Sequence, residues 1–236
     1  MIRFTHVTKS FGGRRIIDDL SFTVPDGGVV ALTGPNGSGK STVVKLVMGL
    51  LLPDGGTIEG IDAPVTAVFQ EDRLCEQLTA VGNVRLVLPP LASQWSVSQI
   101  RAELAAAGLS PDVMDRPVRQ LSGGERRRVC LARAMLAPSK IVCLDEAFTG
   151  IDSTVDQAID YVRSRLAGRD TLLVTHSRSE LKAFGAMELR LGDPRPAGMT
   201  REEAAGILLH YQMDPGASDA IQGPGDTVQD DGLSHH

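Results

Sequence analysis

Short apolar runs separated by turn residues open the chain. Ile2 to Val7, Leu20 to Val24 and Val29 to Thr33 each read as a strand, the third following the turn Pro25-Asp26-Gly27-Gly28. That third run is almost wholly apolar, as a strand covered on both faces must be. A helix is predicted from Lys40 to Leu50, stopped by Pro53-Asp54-Gly55-Gly56, and a further strand from Val65 to Phe69. From about Leu74 to Leu136 the pattern turns helical, at Val81 to Leu88, Ser98 to Ala107 and Gly124 to Leu136. The middle helix has Ser96 and Gln99 at capping-box spacing, an apolar face of Ile100, Leu104 and Ala107, and Gly108 just past its end. Beyond Pro138 the pattern gives strand Ile141 to Leu144, helix Ser153 to Leu166, strand Thr171 to Thr175 and a last strand at Met187 to Leu191. Strands alternating with helices predict an α/β fold with a largely parallel sheet covered on both faces, and a helical lobe inserted into it. Ligands of such sheets bind at the carboxyl ends of the strands.

Composition changes this picture little. A chain of 236 residues, 42% hydrophobic, can bury a sizeable core. The net charge of -5 is local: Asp214, Asp219, Asp226, Asp230 and Asp231 lie in a segment, Met213 to His236, that has no Lys or Arg. Without those five the acidic count falls from 29 to 24 and matches the 24 basic residues. The balanced remainder offers no electrostatic case for a nucleic-acid partner, and the acidic end reads as a solvated, disordered tail. Cys75, Cys130 and Cys143 form no CxxC pair and read as buried reduced thiols. With no basic-then-apolar leader, this predicts a cytosolic location. No apolar run approaches the roughly 20 residues of a membrane span, so any membrane-embedded part would come from another chain.

The candidate chemistry falls at strand ends. Gly34-Pro35-Asn36-Gly37-Ser38-Gly39-Lys40-Ser41-Thr42 fits GxxxxGK[ST] between a predicted strand and a predicted helix. Glycines let the main chain curl so that successive N–H groups point at phosphate oxygens, and the helix start adds its positive dipole end. Lys40 would neutralise the β- and γ-phosphates and Ser41 would ligate Mg²⁺. The run Ile141-Val142-Cys143-Leu144 places Asp145 and Glu146 at a strand's carboxyl end, one carboxylate for the metal's water shell and one to polarise a water that attacks phosphate. Leu121-Ser122-Gly123-Gly124-Glu125 begins a helix with Ser122 as its N-cap. Arg126, Arg127 and Arg128 follow; consecutive residues fan out by about 100° on a helix, so they form no stripe and read as interface and solvated side chains.

The order of a phosphate loop at 34 to 42, Leu-Ser-Gly-Gly-Glu at 121 to 125, a strand ending Asp145-Glu146, and His176 after Val174-Thr175 resembles the ATP-binding-cassette (ABC) ATPases from Met1 to about Leu191. The resemblance implies a P-loop NTPase with a RecA-like parallel core, an N-terminal antiparallel β subdomain and an α-helical subdomain at about 74–136. The cassette would occupy residues 1–212, ahead of the acidic tail at 213–236. It also implies that Phe11 stacks on adenine, that Gln70 senses Mg²⁺ and couples to a partner, that Asp152 lies in a loop crossing a dimer interface, and that His176 contacts the γ-phosphate. Phe11 stands where Tyr is frequent, Glu125 where Gln is, and Ala147 where Pro is; none of these removes a catalytic group.

As the resemblance has it, Gly34 to Thr42 of one subunit and Ser122 to Glu125 of a second, most simply a homodimer, sandwich each ATP. Lys40, Gln70, Glu146 and His176 carry hydrolysis, and Ser41, Gln70 and Asp145 hold Mg²⁺. The implied partners are a transmembrane permease and, indirectly, a solute-binding protein, at the inner face of the cell membrane. Val68-Phe69-Gln70-Glu71-Asp72-Arg73-Leu74 is similar to the glutamine loop of importers of the nitrate, sulfonate and taurine group. A soluble ATPase of iron-sulfur cluster assembly, a scaffold that no longer hydrolyses ATP, and an exporter of lipid or lipoprotein are the competing readings. Glu146 together with His176 argues against the scaffold.

Overall fold

The computed structural model describes residues 1–89, 95–151 and 154–192, so Asp152 and the acidic segment from Met213 lie outside the described residues. Two sheets organise the described chain. In the first, β1 (Ile2–Phe11) pairs antiparallel with β2 (Arg14–Val24) on one side and with β4 (Gly55–Glu59) on the other. Both members of the hairpin run further than expected, since the rows near the Gly12-Gly13 turn, Ser10, Phe11, Arg14 and Arg15, are polar or exposed and carry no alternation. Gly55-Gly56, expected only as a helix stop, opens β4. A Cβ at Gly56 would lie 2.3 Å from the His6 carbonyl oxygen, so glycine is what lets the strand pair this closely.

The second sheet is parallel, in the order β5 (Val65–Val68), β6 (Ile141–Asp145), β7 (Asp170–Val174), β3 (Val29–Thr33), β8 (Met187–Arg190). Its side chains divide by the period of two. Val30, Leu32, Ile141, Cys143, Leu172 and Val174 meet Val43, Val44, Leu46 and Val47 of α1 (Lys40–Val47) and the apolar face of the antiparallel sheet at Ile2, Phe4 and Val7. Ala31, Val142, Leu144 and Leu173 face the other way, into one core shared by α4 (Gly123–Leu136), α5 (Val155–Arg165) and the inserted lobe. Each buried Val, Leu or Ile among them contributes about 1.5–3 kcal/mol on burial, which is why these strands read as unbroken apolar runs.

The lobe consists of α2 (Ala80–Arg85), α3 (Val97–Ala106) and two short 3-10 turns, packed on α4. Its capping box at Ser96 and Gln99 is closed in both directions. Asn83, fully buried, ties α2 to the preceding loop by donating to the Cys75 and Thr79 carbonyls and accepting from the Cys75 N–H. Like β4, α6 (Arg178–Phe184) was not expected from the pattern; its seven residues are capped by Ser177 and ended by Gly185.

The cysteine reading needs one correction. Cys130 and Cys143 are buried free thiols, their pKa pushed up by burial to about 11 and about 12, but Cys75 is exposed, on the loop between β5 and α2 where no packing layer covers it. Among the described residues, no helix is long and apolar enough to cross a membrane.

Candidate functional site

β5, β6, β7 and β3 are consecutive neighbours, so the residues that follow their carboxyl ends share one edge of the sheet. Those residues are Gln70, Asp145 with Glu146, Thr175 with His176, and the loop from Gly34. Positions dispersed over more than 140 residues of sequence are thereby gathered by strand order alone.

The loop from Gly34 enters α1 through Gly39, whose φ of 102° suits no L side chain and where a Cβ would lie 2.5 Å from Ile17 Cδ1. No side chain caps α1, so its first N–H groups stay available at the helix start. Lys40 is 6% exposed, and its Nζ donates to the carbonyls of Gly34 (2.8 Å) and Pro35 (3.1 Å) across the loop. Ser38 Oγ is buried with no hydrogen-bond partner. A Cβ at Gly37 would meet nothing within 4 Å, so the loop's surface is open there.

Asp145 closes β6, with the Ser41 hydroxyl of α1 placed to favour its charged form. Burial pushes its pKa up; the Ser41 hydroxyl opposes this, and the nearby Glu146 charge adds to it. Glu146 adopts φ 49°, held by its N–H donating to Val174 O (3.0 Å) and by Thr149 N–H donating to Glu146 O (3.2 Å). Its Oε1 lies 3.8 Å from His176 Nε2. The two line an open cavity of about 320 Å³ together with Thr149, Thr175, Ser177 and Glu180.

Glu180 was missed by sequence reasoning. One of its oxygens, Oε2, is buried without a partner, and burial raises its pKa against the opposing Thr175 hydroxyl. The Ser177-to-Glu180 spacing after a strand was the available signal.

Ser122, Gly123, Gly124 and Glu125 start α4. Ser122 Oγ accepts from Glu125 N–H (3.2 Å) and Glu125 Oε2 accepts from Ser122 N–H (2.7 Å), a closed capping box. Among the described residues no hydrogen bond or ion pair joins this segment to Gly34–Thr42. Phe11, at the end of β1, is 46% exposed with Lys9 Nζ 5.7 Å from its ring centre.

The arginines depart from expectation. Arg126 is partly exposed, but Arg127 and Arg128 are 5% and 4% exposed. Arg127 donates to the carbonyls of Phe69 and Gln70, and Arg128 donates to Ala107 O (2.9 Å) and to Thr154. At 100° per residue only one of the three can face water here; the other two point into loops whose main-chain carbonyls lack a ladder partner, which a guanidinium's five donors satisfy.

A family model described as ABC transporter matches residues 17–149. The chain is 37% identical over 76% of its length to Nod factor export ATP-binding protein I of Sinorhizobium fredii, and spans only 56% of that relative. It is 35% identical over 87% of its length to the thiamine import ATP-binding protein ThiQ of Escherichia coli O157:H7, covering 95% of it. Against the aliphatic sulfonates import ATP-binding protein SsuB 2 of Agrobacterium fabrum it is 36% identical over 75% of its length and 70% of the relative. Across the first of these relatives the chain thus spans about half the relative's length. Its backbone superposes on a solved dimeric bacterial ABC transporter cassette with a TM-score of 0.71, 23% identity and coverage of 80% of this chain and 94% of that one.

Proposed function

Because the chain belongs to the ABC transporter family, we propose that it is the ATPase subunit of a transporter, hydrolysing Mg-ATP between two copies to drive a partner permease. The observation that carries this reading is the gathering of Gly34–Thr42, Gln70, Asp145-Glu146 and His176 at the ends of four adjacent parallel strands. The phosphates would lie along the uncapped start of α1, where the unpartnered Ser38 hydroxyl and the Lys40 ammonium face the loop.

The residues fit a magnesium ion. Asp145 is a buried carboxylate with the Ser41 hydroxyl on it, a pairing that a cation would stabilise. Among the described residues no three His, Cys, Asp or Glu side chains converge, which suits a metal that keeps most of its shell as water and phosphate oxygen. Ser41, Asp145 and Gln70 would hold it, and when bound it would neutralise charge developing on the β- and γ-phosphates. Glu146 polarises the attacking water, and His176, across the cavity from it, meets the γ-phosphate. Ser122 to Glu125 of the second subunit closes the site.

Glu146→Gln tests this. Phosphate release should fall by about 100-fold or more, and ATP should accumulate a dimer on size-exclusion chromatography. Undiminished turnover would overturn the assignment of Glu146.

The Val68–Leu74 segment, together with the thiamine and sulfonate import relatives, supports import of a small solute at the inner face of the membrane, with a solute-binding protein delivering it indirectly. The Nod factor relative supports export as the second reading. Detergent extraction with this subunit tagged should bring a polytopic membrane protein; recovery of only soluble partners would favour an ATPase of the iron-sulfur assembly type instead.

A further inference from the structure

The three arginines after the Ser122–Glu125 segment were expected at the surface, and the buried one nearest the glutamine loop has no part in the mechanism above. Arg127 sits one turn into α4 and donates to the main-chain oxygens of both Phe69 and Gln70, with Nη1 3.5 Å from Asp72 Oδ1. Arg126 Nε holds the other oxygen of the same carboxylate at 3.3 Å while its Nη1 donates to Leu121 O (2.7 Å). Within the same loop, the Arg73 guanidinium lies 4.1 Å from the centre of the Phe69 ring. The peptide units at 69 and 70 are therefore fixed to α4 by a planar donor set, while the Gln70 residue itself is exposed. A lysine could not reproduce this, because one ammonium cannot span two carbonyls and a carboxylate in a fixed fork.

We propose that Arg127 is a positioning residue for Gln70, holding its main chain to the helix that begins at Ser122 so that the two move as one body. This rests on the composite-site reading, in which Gln70 serves the nucleotide on its own subunit's Gly34–Thr42 loop and Ser122–Glu125 serves the nucleotide on the partner's. Arg127 then joins two different nucleotide sites through one side chain. Docking of α4 against one ATP displaces the glutamine loop addressing the other.

The test is a double-mutant cycle in the full chain with Gln70→Ala, Arg127→Gln and both together, following steady-state phosphate release and the binding of a fluorescent ATP analogue. Arg127→Gln should lower kcat by about tenfold with analogue affinity changed less than about twofold, and should cost nothing further in the residual activity of Gln70→Ala. An equal fall in both backgrounds, or no fall in either, would overturn the inference. If Arg127→Gln melts out, Arg127→Lys keeps the charge and the stem. It should fold and still show the kcat loss against unchanged binding; a wild-type kcat for a folded Arg127→Lys would overturn it too. Failure of Glu146→Gln to trap a dimer would remove the composite site instead, and would leave the result of the cycle at Gln70 standing.

Discussion

Two helices of this protein begin beside glycines and manage their first turns in opposite ways. α1 starts after Gly39 with no side-chain cap, in a backbone conformation closed to other residues, and is pinned by Ile17 and by its buried valines. α4 starts after Ser122 and closes on itself through Glu125. The first helix start depends on tertiary packing and leaves its N–H groups for a ligand; the second satisfies two of its own donors and keeps only the Gly123 surface open, where an added Cβ would meet nothing nearer than 4.0 Å, while Gly124 packs against the Gly150 carbonyl and Ile151. Helix N-termini with similar glycine content thus differ in what they can offer: a full cradle at one, a partial contact surface at the other.

The largest effect is expected where packing alone holds the helix start. Gly39→Ala should cost roughly 2 kcal/mol from backbone strain and from displacing Ile17, read as a lower midpoint in urea, and should weaken ATP-analogue binding in parallel. An unchanged midpoint would mean that α1 is not held in the way described. At the self-capped start, Ser122→Ala should cost about 1 kcal/mol, with Ser122→Asp restoring most of it; loss of ATP-dependent dimerisation without loss of stability would show that the cap matters only for contact.

The smallest effect sharpens the comparison at a third helix. Ser177 and Glu180 have the same spacing as Ser122 and Glu125, and Ser177 Oγ accepts from Glu180 N–H (3.3 Å), but the reciprocal bond is absent because Ser177 N–H donates to Thr175 Oγ1 (3.0 Å). The Glu180 carboxyl is turned inward, and burial raises its pKa above the ordinary glutamate range. A folded state that binds this proton more tightly than the unfolded chain is favoured below the unfolded glutamate pKa, and loses that advantage as pH rises through the folded value. Glu180→Gln should therefore raise the Tm near pH 7 and converge with the parent near pH 4. A constant offset across that range would place the carboxyl outside the buried environment.

These contrasts also mark what the sequence makes legible. β3 and β6 are continuous apolar runs ending in polar motifs, and a strand with that pattern has few places to go but the middle of a parallel sheet. The helices of the lobe carry their periodicity and their caps within a dozen residues. The hairpin tip at Phe11–Arg14 has exposed side chains on both arms, and its pairing comes from the Gly12-Gly13 turn rather than from any side-chain pattern. Arg127 and Arg128 look like solvated charges because their partners are main-chain carbonyls, which leave no trace in a side-chain pattern. Glu180 resembles one half of a capping box, and only the position of the Thr175 hydroxyl turns it elsewhere. Local chemistry was readable at the strand ends; what crosses between elements was not.

The left-handed φ of Glu146 has a consequence for adaptation. A side chain in that conformation carries roughly 1–2 kcal/mol of strain that glycine would not, so the position is set against itself: Glu146→Gly relieves the backbone while deleting the carboxylate on which turnover is proposed to depend. Selection for thermal robustness alone would drift toward the inactive chain here, and a population screened only for folding should enrich it.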